Sequence, residues 1–188
     1  IDDNEIFMTL SLGIAVYPDH GEDPLQLIKL ADLAMYSAKA AGRNNYQVYD
    51  PSMNQDSDRR LQVEKSLRCA LDNREFFLVY QPKVDVFNGK ITALEGLLRW
   101  QHPELGLLQP ADFISLAEET GLICPIGEWV LEQACIQNKK WQDMGLPKVR
   151  IAVNVSGYQL QQHELVQTIC DLLERTGLDP RWLELEIT

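Results

Sequence analysis

The sequence predicts an α/β fold in which parallel strands are joined by crossover helices. Strand, helix and strand follow one another over residues 149–188, and the same order recurs on a smaller scale over residues 6–50. A third observation adds an antiparallel pair. Asn88-Gly89, a pair preferred in tight turns, separates two runs of β-forming residues.

The first 50 residues predict a small β-α-β piece. The run IFMTLSLGIAVYP (6–18) has the composition of a buried strand, and NYQVYD (45–50) has that of a second, short strand. Between them, Asp23-Pro24 supplies a helix N-cap followed by proline at the first helical position, and Gly42 ends the helix. A piece of about 50 residues is small for a domain that folds alone.

A polar segment, PSMNQDSDRR (51–60), lacks hydrophobic periodicity and predicts a linker. From Leu61 onward apolar residues recur at helical spacing. Later helices and strands are expected over residues 110–121, 126–145, 149–156, 157–177 and 182–188, of which 149–156 and 182–188 are strands. The chain therefore divides into a unit of residues 1–50, a linker of residues 51–60 and a unit of residues 61–188.

Composition excludes several classes of function. The net charge of −11 argues against non-specific binding to nucleic acids or anionic membranes, which requires a basic surface. No apolar run reaches the ~20 residues of a membrane span, and the start of the chain lacks the features of a signal peptide. We therefore expect a cytoplasmic protein, with any attachment to the inner membrane made by regions outside this sequence.

Cysteine and histidine usage gives little support to zinc or triad chemistry. The four cysteines, Cys69, Cys124, Cys135 and Cys170, form no CxxC pair, and we expect reduced, buried thiols. The three histidines are scattered along the chain, with no spacing typical of metal ligands or of a Ser-His-Asp triad.

Three oxygen-bearing side chains stand out on the predicted strands. Glu95 lies among apolar residues in ITALEGLLRWQHP (91–103), where burial of a carboxylate is costly unless something neutralises it. Asn154 and Glu186 each lie near the C-terminal end of a strand, where parallel α/β folds build their sites. If the three converge, two carboxylates and an amide oxygen suit Mg²⁺ or Mn²⁺, metals that act on phosphate esters.

Other readings of these residues remain open from spacing alone. Glu95 also fits exposure to solvent or an ion pair with an arginine such as Arg99. Asn154 fits a hydrogen bond at a strand end, and Glu184 and Glu186 fit a solvated strand face. Arg99 itself, on the same strand face as Glu95, has the fork geometry that holds a phosphate by paired hydrogen bonds. A different class of (β/α) metal hydrolase also fits the spacing.

Several strings resemble a known family, and they occur in the family's order. They are YQPKVD (80–85), ITALEGLLRWQHPELGLLQPADFISLAEETGLICPIGEWVLEQAC (91–135), IAVNVSGYQL (151–160) and LELEIT (183–188). Through them, residues 61–188 resemble the N-terminal half of the EAL family of cyclic-di-GMP phosphodiesterases, with Glu95-Gly96-Leu97 in place of the name-giving Glu-Ala-Leu. Residues 1–50, through LSLGIAVYP and ADLAMYSAKAAGRN, resemble the C-terminal end of a GGDEF diguanylate cyclase domain.

The resemblance implies a fold and an incomplete site. The fold would be a partial (β/α)8 barrel of the TIM type whose first strand runs antiparallel to the second, preceded by the small β-α-β tail of a GGDEF domain. The Asn88-Gly89 hairpin agrees with that antiparallel strand. The family's paired aspartates, lysine and later glutamates would follow Thr188, so we expect this sequence to be an inactive fragment of a longer protein.

The resemblance also implies roles for residues of the second unit. In the EAL family, the positions of Glu95, Asn154 and Glu186 ligate Mg²⁺ or Mn²⁺, and Glu95 is catalytic. The positions that line the dinucleotide site are those of Gln81, Leu97 and Arg99. In the first unit, the resemblance matches Lys39 and Arg43 to the basic residues near the triphosphate of GTP.

The implied function is metal-dependent hydrolysis of cyclic-di-GMP to linear pGpG by an intact EAL domain. The alternatives are a catalytically inactive receptor for cyclic-di-GMP and a working cyclase in the first unit. The expected partners are cyclic-di-GMP, and GTP at the GGDEF part, without nucleic acid. We also expect a homo-oligomer, because a half-barrel needs its missing strands from another chain or a neighbour against its exposed edge.

Overall fold

The computed structural model describes residues 9–187, without the side chain of Asp56. The first eight residues, where the predicted strand 6–18 begins, and Thr188, which ends the predicted strand 182–188, lie outside the described residues. The chain forms two compact units that divide between Val63 and Glu64.

The first unit contains the expected β-α-β piece. Strand β1 (Leu12–Ile14) and strand β2 (Tyr46–Val48) pair in parallel, and helix α1 (Pro24–Ala40) connects them. The Asp23 side chain caps α1 by accepting a hydrogen bond of 3.0 Å from the backbone N–H of Gln26. The prediction of a small parallel unit is confirmed.

The first strand is shorter and more exposed than predicted. Its outer residues, Leu12 and Ile14, are 49% and 38% exposed. Between them, Gly13 faces α1 so closely that a Cβ atom would lie 1.9 Å from the backbone oxygen of Ala31. Because α1 approaches one face of this two-stranded sheet, Leu12 and Ile14 on the other face are left in contact with solvent.

The segment predicted as an irregular linker is helical. Helix α2 (Ser52–Ala70) begins within it, nine residues before the predicted start at Leu61. The carboxylate of Asp50 accepts hydrogen bonds from the Ser52 backbone N–H at 2.9 Å and from the Ser52 hydroxyl at 2.6 Å. Most of the first turns are exposed, so they carry no apolar stripe that periodicity could detect. A linking role for residues 51–60 stays a prediction.

A mixed sheet forms the second unit. Its strands are β3 (Phe76–Val84), β4 (Ile91–His102), β5 (Gly106–Leu108), β6 (Arg150–Val155) and β7 (Leu183–Ile187). The order is β3-β4-β6-β7, with β5 paired to the end of β4. Strand β3 runs antiparallel to β4, whereas β4, β6 and β7 run parallel. The α/β class and the antiparallel first strand are therefore confirmed.

Helices follow the strands with boundaries that differ slightly from expectation. They are α3 (Pro110–Glu119), α4 (Ile123–Asp143), α5 (Gly157–Leu160), α6 (Leu165–Thr176) and a 3-10 turn (Pro180–Trp182). The single helix predicted over residues 157–177 is interrupted at residues 161–164. Its first turn is held separately, because the side chain of Gln159 bonds back to Ser156 rather than pointing outward.

The predicted hairpin is present, but its turn is longer than two residues. Six residues, 85–90, connect β3 to β4, and the Asp85 N–H donates to the Lys90 carbonyl at 2.9 Å. A two-residue type I′ turn needs a positive φ at both central residues. Here Gly89 has φ 69°, whereas Asn88 is not among the residues with positive φ. The Asp85 carboxylate instead organises a wider loop by accepting from the N–H of Phe87 at 2.8 Å.

The core of the second unit lies between one face of the sheet and helices α3 and α4. Trp100 is fully buried there, with its ring 5.4 Å from Phe76 and 5.4 Å from Phe113. Its indole N–H donates to the Glu75 carboxylate at 2.8 Å, which satisfies the buried donor. Packing of this face leaves the opposite face of the sheet available for a site.

All four cysteines are free thiols, but three of them are not buried as expected, and of these Cys124 is half-buried. Cys135 is buried in α4, and burial raises the pKa of its thiol to about 11. Cys69 and Cys170 are exposed, because they lie on outward faces of α2 and α6. Among the residues described, no helix is both long enough and apolar enough to cross a membrane.

Candidate metal and phosphate site

Register places the predicted site residues of the second unit on one face of the sheet. Gln81 lies opposite Glu95 in the antiparallel pair, and Glu95 lies opposite Ala152 in the parallel pair. Two residues further along, Asn154 lies opposite Glu186. Because side chains alternate along a strand, this face is the one turned away from Trp100 and the helices.

Glu95 contacts Asn154. The Asn154 amide Nδ2 donates to Glu95 Oε1 at 2.8 Å, across two neighbouring strands and 59 residues of sequence. The alternative ion pair with Arg99 is not formed, since the Arg99 guanidinium donates to the Leu98 backbone oxygen at 2.7 Å. Two of the three predicted metal ligands are thus in direct contact.

Glu186 faces the same space from β7, but it already has a cationic partner. Its carboxylate forms an ion pair with Lys83 of β3. Glu184, the next residue on this face, lies 3.7 Å from the Lys83 ammonium and 3.2 Å from the Arg150 guanidinium. The side chains of Glu184 and Glu186 are 33% and 31% exposed. Both are paired with cationic groups, so they differ from the solvated strand face that is one alternative from the sequence.

Sequence reasoning missed Lys83. Alternation along YQPKVD places Lys83 on the same face as Gln81, a residue predicted to line the dinucleotide site. Its reach to β7 could not be read from the sequence, because that contact depends on the curvature of the whole sheet.

The oxygen atoms of Glu95 and Asn154 are of the chemical type that binds hard divalent cations. Glu95 Oε2 and Asn154 Oδ1 accept no hydrogen bond from residues 9–187, so each of these oxygen atoms is available to a ligand. Carboxylate and amide oxygens are typical ligands of Mg²⁺ and Mn²⁺. Within the described range, no group of three or more His, Cys, Asp or Glu side chains is arranged to hold a metal. Cation binding by Glu95 and Asn154 therefore stays a prediction.

Gln81, Leu97 and Arg99 lie on the same face as Glu95. Leu97 and Arg99 follow Glu95 at alternate positions of β4 and are half-buried, whereas Gln81 is exposed. Their assignment to a dinucleotide site stays a prediction. At Gly96, a Cβ atom would lie 3.6 Å from the nearest atom, the Ala152 oxygen, so an alanine would fit where the family has one.

A capping box fixes the chain direction directly after Asn154. The Ser156 hydroxyl accepts from the Gln159 N–H at 3.3 Å, and Gln159 Oε1 accepts from the Ser156 N–H at 3.1 Å. Gln159 fits against α4 at Gly127, where a Cβ atom would lie 1.9 Å from its Nε2 atom. The Ser-x-x-Gln pattern at residues 156–159 is a sequence signal that predicts this capping box.

An apolar cavity of about 400 Å³ adjoins the site. It lies between β4 and the helices, and Leu97, Asn154 and Gln159 are among its lining residues. The cavity is therefore on the helix side of the sheet, and it reaches the site at Leu97 and Asn154.

The first unit presents Lys39 and Arg43 at the C-terminal end of α1. Both side chains are exposed, and Arg43 adopts the left-handed conformation with φ 59°. The C-terminal end of a helix carries partial negative charge, which stabilises a lysine and opposes a phosphate. Contact of these residues with GTP stays a prediction.

The two units of the chain match two known protein families. A family model described as "EAL domain" matches residues 64–188, and one described as "Diguanylate cyclase, GGDEF domain" matches residues 1–45. "Bifunctional diguanylate cyclase/cyclic di-GMP phosphodiesterase MucR" of Pseudomonas aeruginosa is 45% identical over 188 residues, which are 100% of this chain and 27% of that protein. "Cyclic di-GMP phosphodiesterase PdeR" of Escherichia coli is 41% identical over 184 residues, 98% of this chain and 28% of that protein. This chain spans about a quarter of the length of these relatives.

Solved structures show the same likeness. The "PaMucR Phosphodiesterase, c-di-GMP complex" has a TM-score of 0.64 and 47% identity, covering 66% of this chain and 50% of that chain. The Xanthomonas citri FimX EAL domain in complex with c-diGMP has a TM-score of 0.60 and 25% identity, covering 71% of this chain and 51% of that one.

Proposed function

Because this chain belongs to the EAL domain family and begins with GGDEF sequence, we propose that its second unit supplies part of a cyclic di-GMP phosphodiesterase site. The observation that carries the proposal is the contact of Asn154 with Glu95, with Glu186 in register on the next strand. The relatives MucR and PdeR, both named as cyclic di-GMP phosphodiesterases, support the same reaction.

Glu95, Asn154 and Glu186 would hold Mg²⁺ or Mn²⁺ through their oxygen atoms. A divalent cation in such a site neutralises developing negative charge and makes water a stronger nucleophile. The Asn154 amide holds Glu95 in place through one oxygen and leaves the other oxygen for the cation. Asn154 thus orients Glu95 and also offers its own amide oxygen.

Gln81, Leu97 and Arg99 would bind the dinucleotide. The Arg99 guanidinium is anchored by its bond to the Leu98 oxygen, and its other N–H groups make no bond to the described residues. They are therefore available for paired hydrogen bonds to one phosphate. Water would add to that phosphorus, one ribose oxygen would leave with a proton, and linear pGpG would result.

The test is a pair of variants in the protein that contains this chain. Glu95→Gln keeps the shape of the side chain but removes its charge, so cation binding and pGpG formation should both fall by at least about 100-fold. Glu174→Gln is a matched control, because it makes the same change on α6, away from the site face. If Glu95→Gln hydrolyses cyclic di-GMP as fast as the parent, the assignment of Glu95 is wrong.

A receptor for cyclic di-GMP is the second candidate. The observation that favours it is the Lys83 ammonium on Glu186, which neutralises that carboxylate without a metal. Binding of cyclic di-GMP in the presence of a chelator, with no turnover when Mg²⁺ or Mn²⁺ is added, would identify a receptor. Turnover that appears with the metal and is lost in Glu95→Gln would identify the enzyme.

A further inference from the structure

Lys83 connects two strands that do not pair with each other. It lies on β3 and contacts Glu186 on β7, although β4 and β6 lie between these strands in the sheet. The contact is possible because the sheet curves, which brings its two end strands together on the site face. Lys83 therefore points into the space that Glu95, Asn154 and Glu186 share.

Lys83 has a second acceptor within reach. Its ammonium lies 3.7 Å from Glu184 Oε1, and the other Glu184 oxygen lies 3.2 Å from Arg150. Glu186 has no cationic partner other than Lys83 among residues 9–187, and Glu95 has none there. The two glutamates of β7 are thus unequal, because one has two cationic partners and the other has one.

We propose that Lys83 is an internal counter-ion of the cation site. It neutralises Glu186 while no divalent cation is bound, and it transfers to Glu184 when a cation takes Glu186. This inference rests on the proposed function, since it takes Glu186 as a cation ligand. The transfer needs only rotation of a flexible four-carbon side chain, because Glu184 is already next to the ammonium.

Lys83 and Glu184 should affect cation binding in opposite directions. An ammonium and a divalent cation repel each other at one carboxylate, so Lys83 weakens cation binding. Removal of Glu184 takes away the alternative partner and should weaken binding further. The lysine and Glu186 side chains are 33% and 31% exposed, so solvent screens their attraction. We expect changes of about two- to fivefold in Kd.

The experiment measures the Kd for Mn²⁺ by calorimetric titration of the protein that contains this chain. Lys83→Met should bind Mn²⁺ about two- to fivefold more tightly than the parent, and Lys83→Arg should bind as the parent does. Lys90→Met is the matched control, because it removes the same charge at an exposed position of the loop between β3 and β4 and should leave Kd unchanged. An unchanged or higher Kd in Lys83→Met overturns the proposal.

A double-mutant cycle tests the transfer itself. Glu184→Gln should raise Kd in the parent, and this effect should disappear when Lys83 is already methionine. An equal effect in both backgrounds means that Glu184 acts on the cation directly, and it overturns the transfer.

The variant Glu186→Gln distinguishes an error in the proposed ligand from an error in the proposed role of Lys83. If Glu186→Gln binds Mn²⁺ as tightly as the parent, Glu186 is not a cation ligand. If Glu186→Gln binds Mn²⁺ more weakly than the parent while Lys83→Met has the Kd of the parent, only the role of Lys83 is refuted.

Discussion

The contact of Glu95 with Asn154 joins two strands of the candidate site. Strand alternation places Glu95 and Arg99 on one face, and the structure keeps them there. The partner of Glu95 is nevertheless Asn154, which lies 59 residues later on a neighbouring strand. A sequence pattern carries no information on which strand lies beside β4, and family resemblance supplied that link.

Gly127 is a position where two opposite effects on stability can be compared. Alanine in a helix interior is favoured over glycine by about 1 kcal/mol. Here, however, the new Cβ would displace Gln159, whose Oε1 satisfies the buried N–H of Ser156. Leaving such a donor unsatisfied costs about 1–3 kcal/mol, in addition to the lost packing.

We therefore expect Gly127→Ala to lower the free energy of unfolding by about 1–2 kcal/mol. In a Gln159→Ala background the obstruction is absent, so the same substitution should be neutral or stabilising. Urea unfolding of the four proteins gives both values. A stabilising Gly127→Ala in the parent would contradict the close fit of Gln159.

At the level of elements, the sequence carries a signal for the start of α2. Asp50-Pro51 has the same form as Asp23-Pro24, which correctly predicted the start of α1. The lack of apolar periodicity over residues 51–60 predicts a linker instead, although an exposed helix needs no apolar stripe. In the hairpin, Asn88-Gly89 correctly predicts a turn between β3 and β4 but not its length. The loop is longer because the Asp85 carboxylate accepts a hydrogen bond from within it.

We expect Asp50→Ala to fray the first turn of α2, because Ser52 loses its hydrogen-bond acceptor. Amide hydrogen exchange of Ser52, Met53 and Asn54 should accelerate several-fold, whereas Asp50→Asn should retain most protection. The matched substitution Asp23→Ala should affect only the first turn of α1. Equal protection in Asp50→Ala and the parent would rule out the cap.

The same cap should depend on pH. The bond from the Ser52 hydroxyl, followed by that from its backbone N–H, lowers the pKa of Asp50 below its ordinary value of 3.8. A lowered pKa in the folded state means that the stabilisation is present above pH 3.8 and is lost as pH falls through the lower value. Protection of this turn should therefore decline only in acid below that point.

For the whole molecule, the class and order of elements followed from pattern, whereas the curvature of the sheet did not. Alternating strands and helices predict parallel strands, and the hairpin predicts the antiparallel one. The contact of Lys83 with Glu186 requires the ends of the sheet to approach each other, which is a property of four strands together. No local window of sequence contains that information.

Exposed apolar side chains on this sheet lead to a prediction of self-association. Phe77, Val79, Leu185 and Ile187 are 39%, 37%, 41% and 71% exposed. Burial of such surface favours association, while the net charge of −11 opposes it. Salt screens the repulsion, so we expect the sedimentation coefficient of this chain to rise with concentration, and more strongly at about 0.5 M than at about 0.05 M salt.

The substitution Ile187→Lys should reduce this association. Val166→Lys on α6 is a matched control, because Val166 is 72% exposed and gains the same charge. Both variants should fold, since neither residue is buried. A chain that sediments as one monomeric species at both salt concentrations would contradict the expected oligomer.

The antiparallel course of β3 has a practical consequence. Its connection to β4 lies at the opposite end of the sheet from Asn154, and Val86 and Phe87 at its tip are 88% and 95% exposed. Exposed loop tips accept added sequence with little effect on the rest of a fold. This tip is therefore a suitable position for a fluorophore or an affinity peptide that reports on ligand binding without touching the groups that bind it.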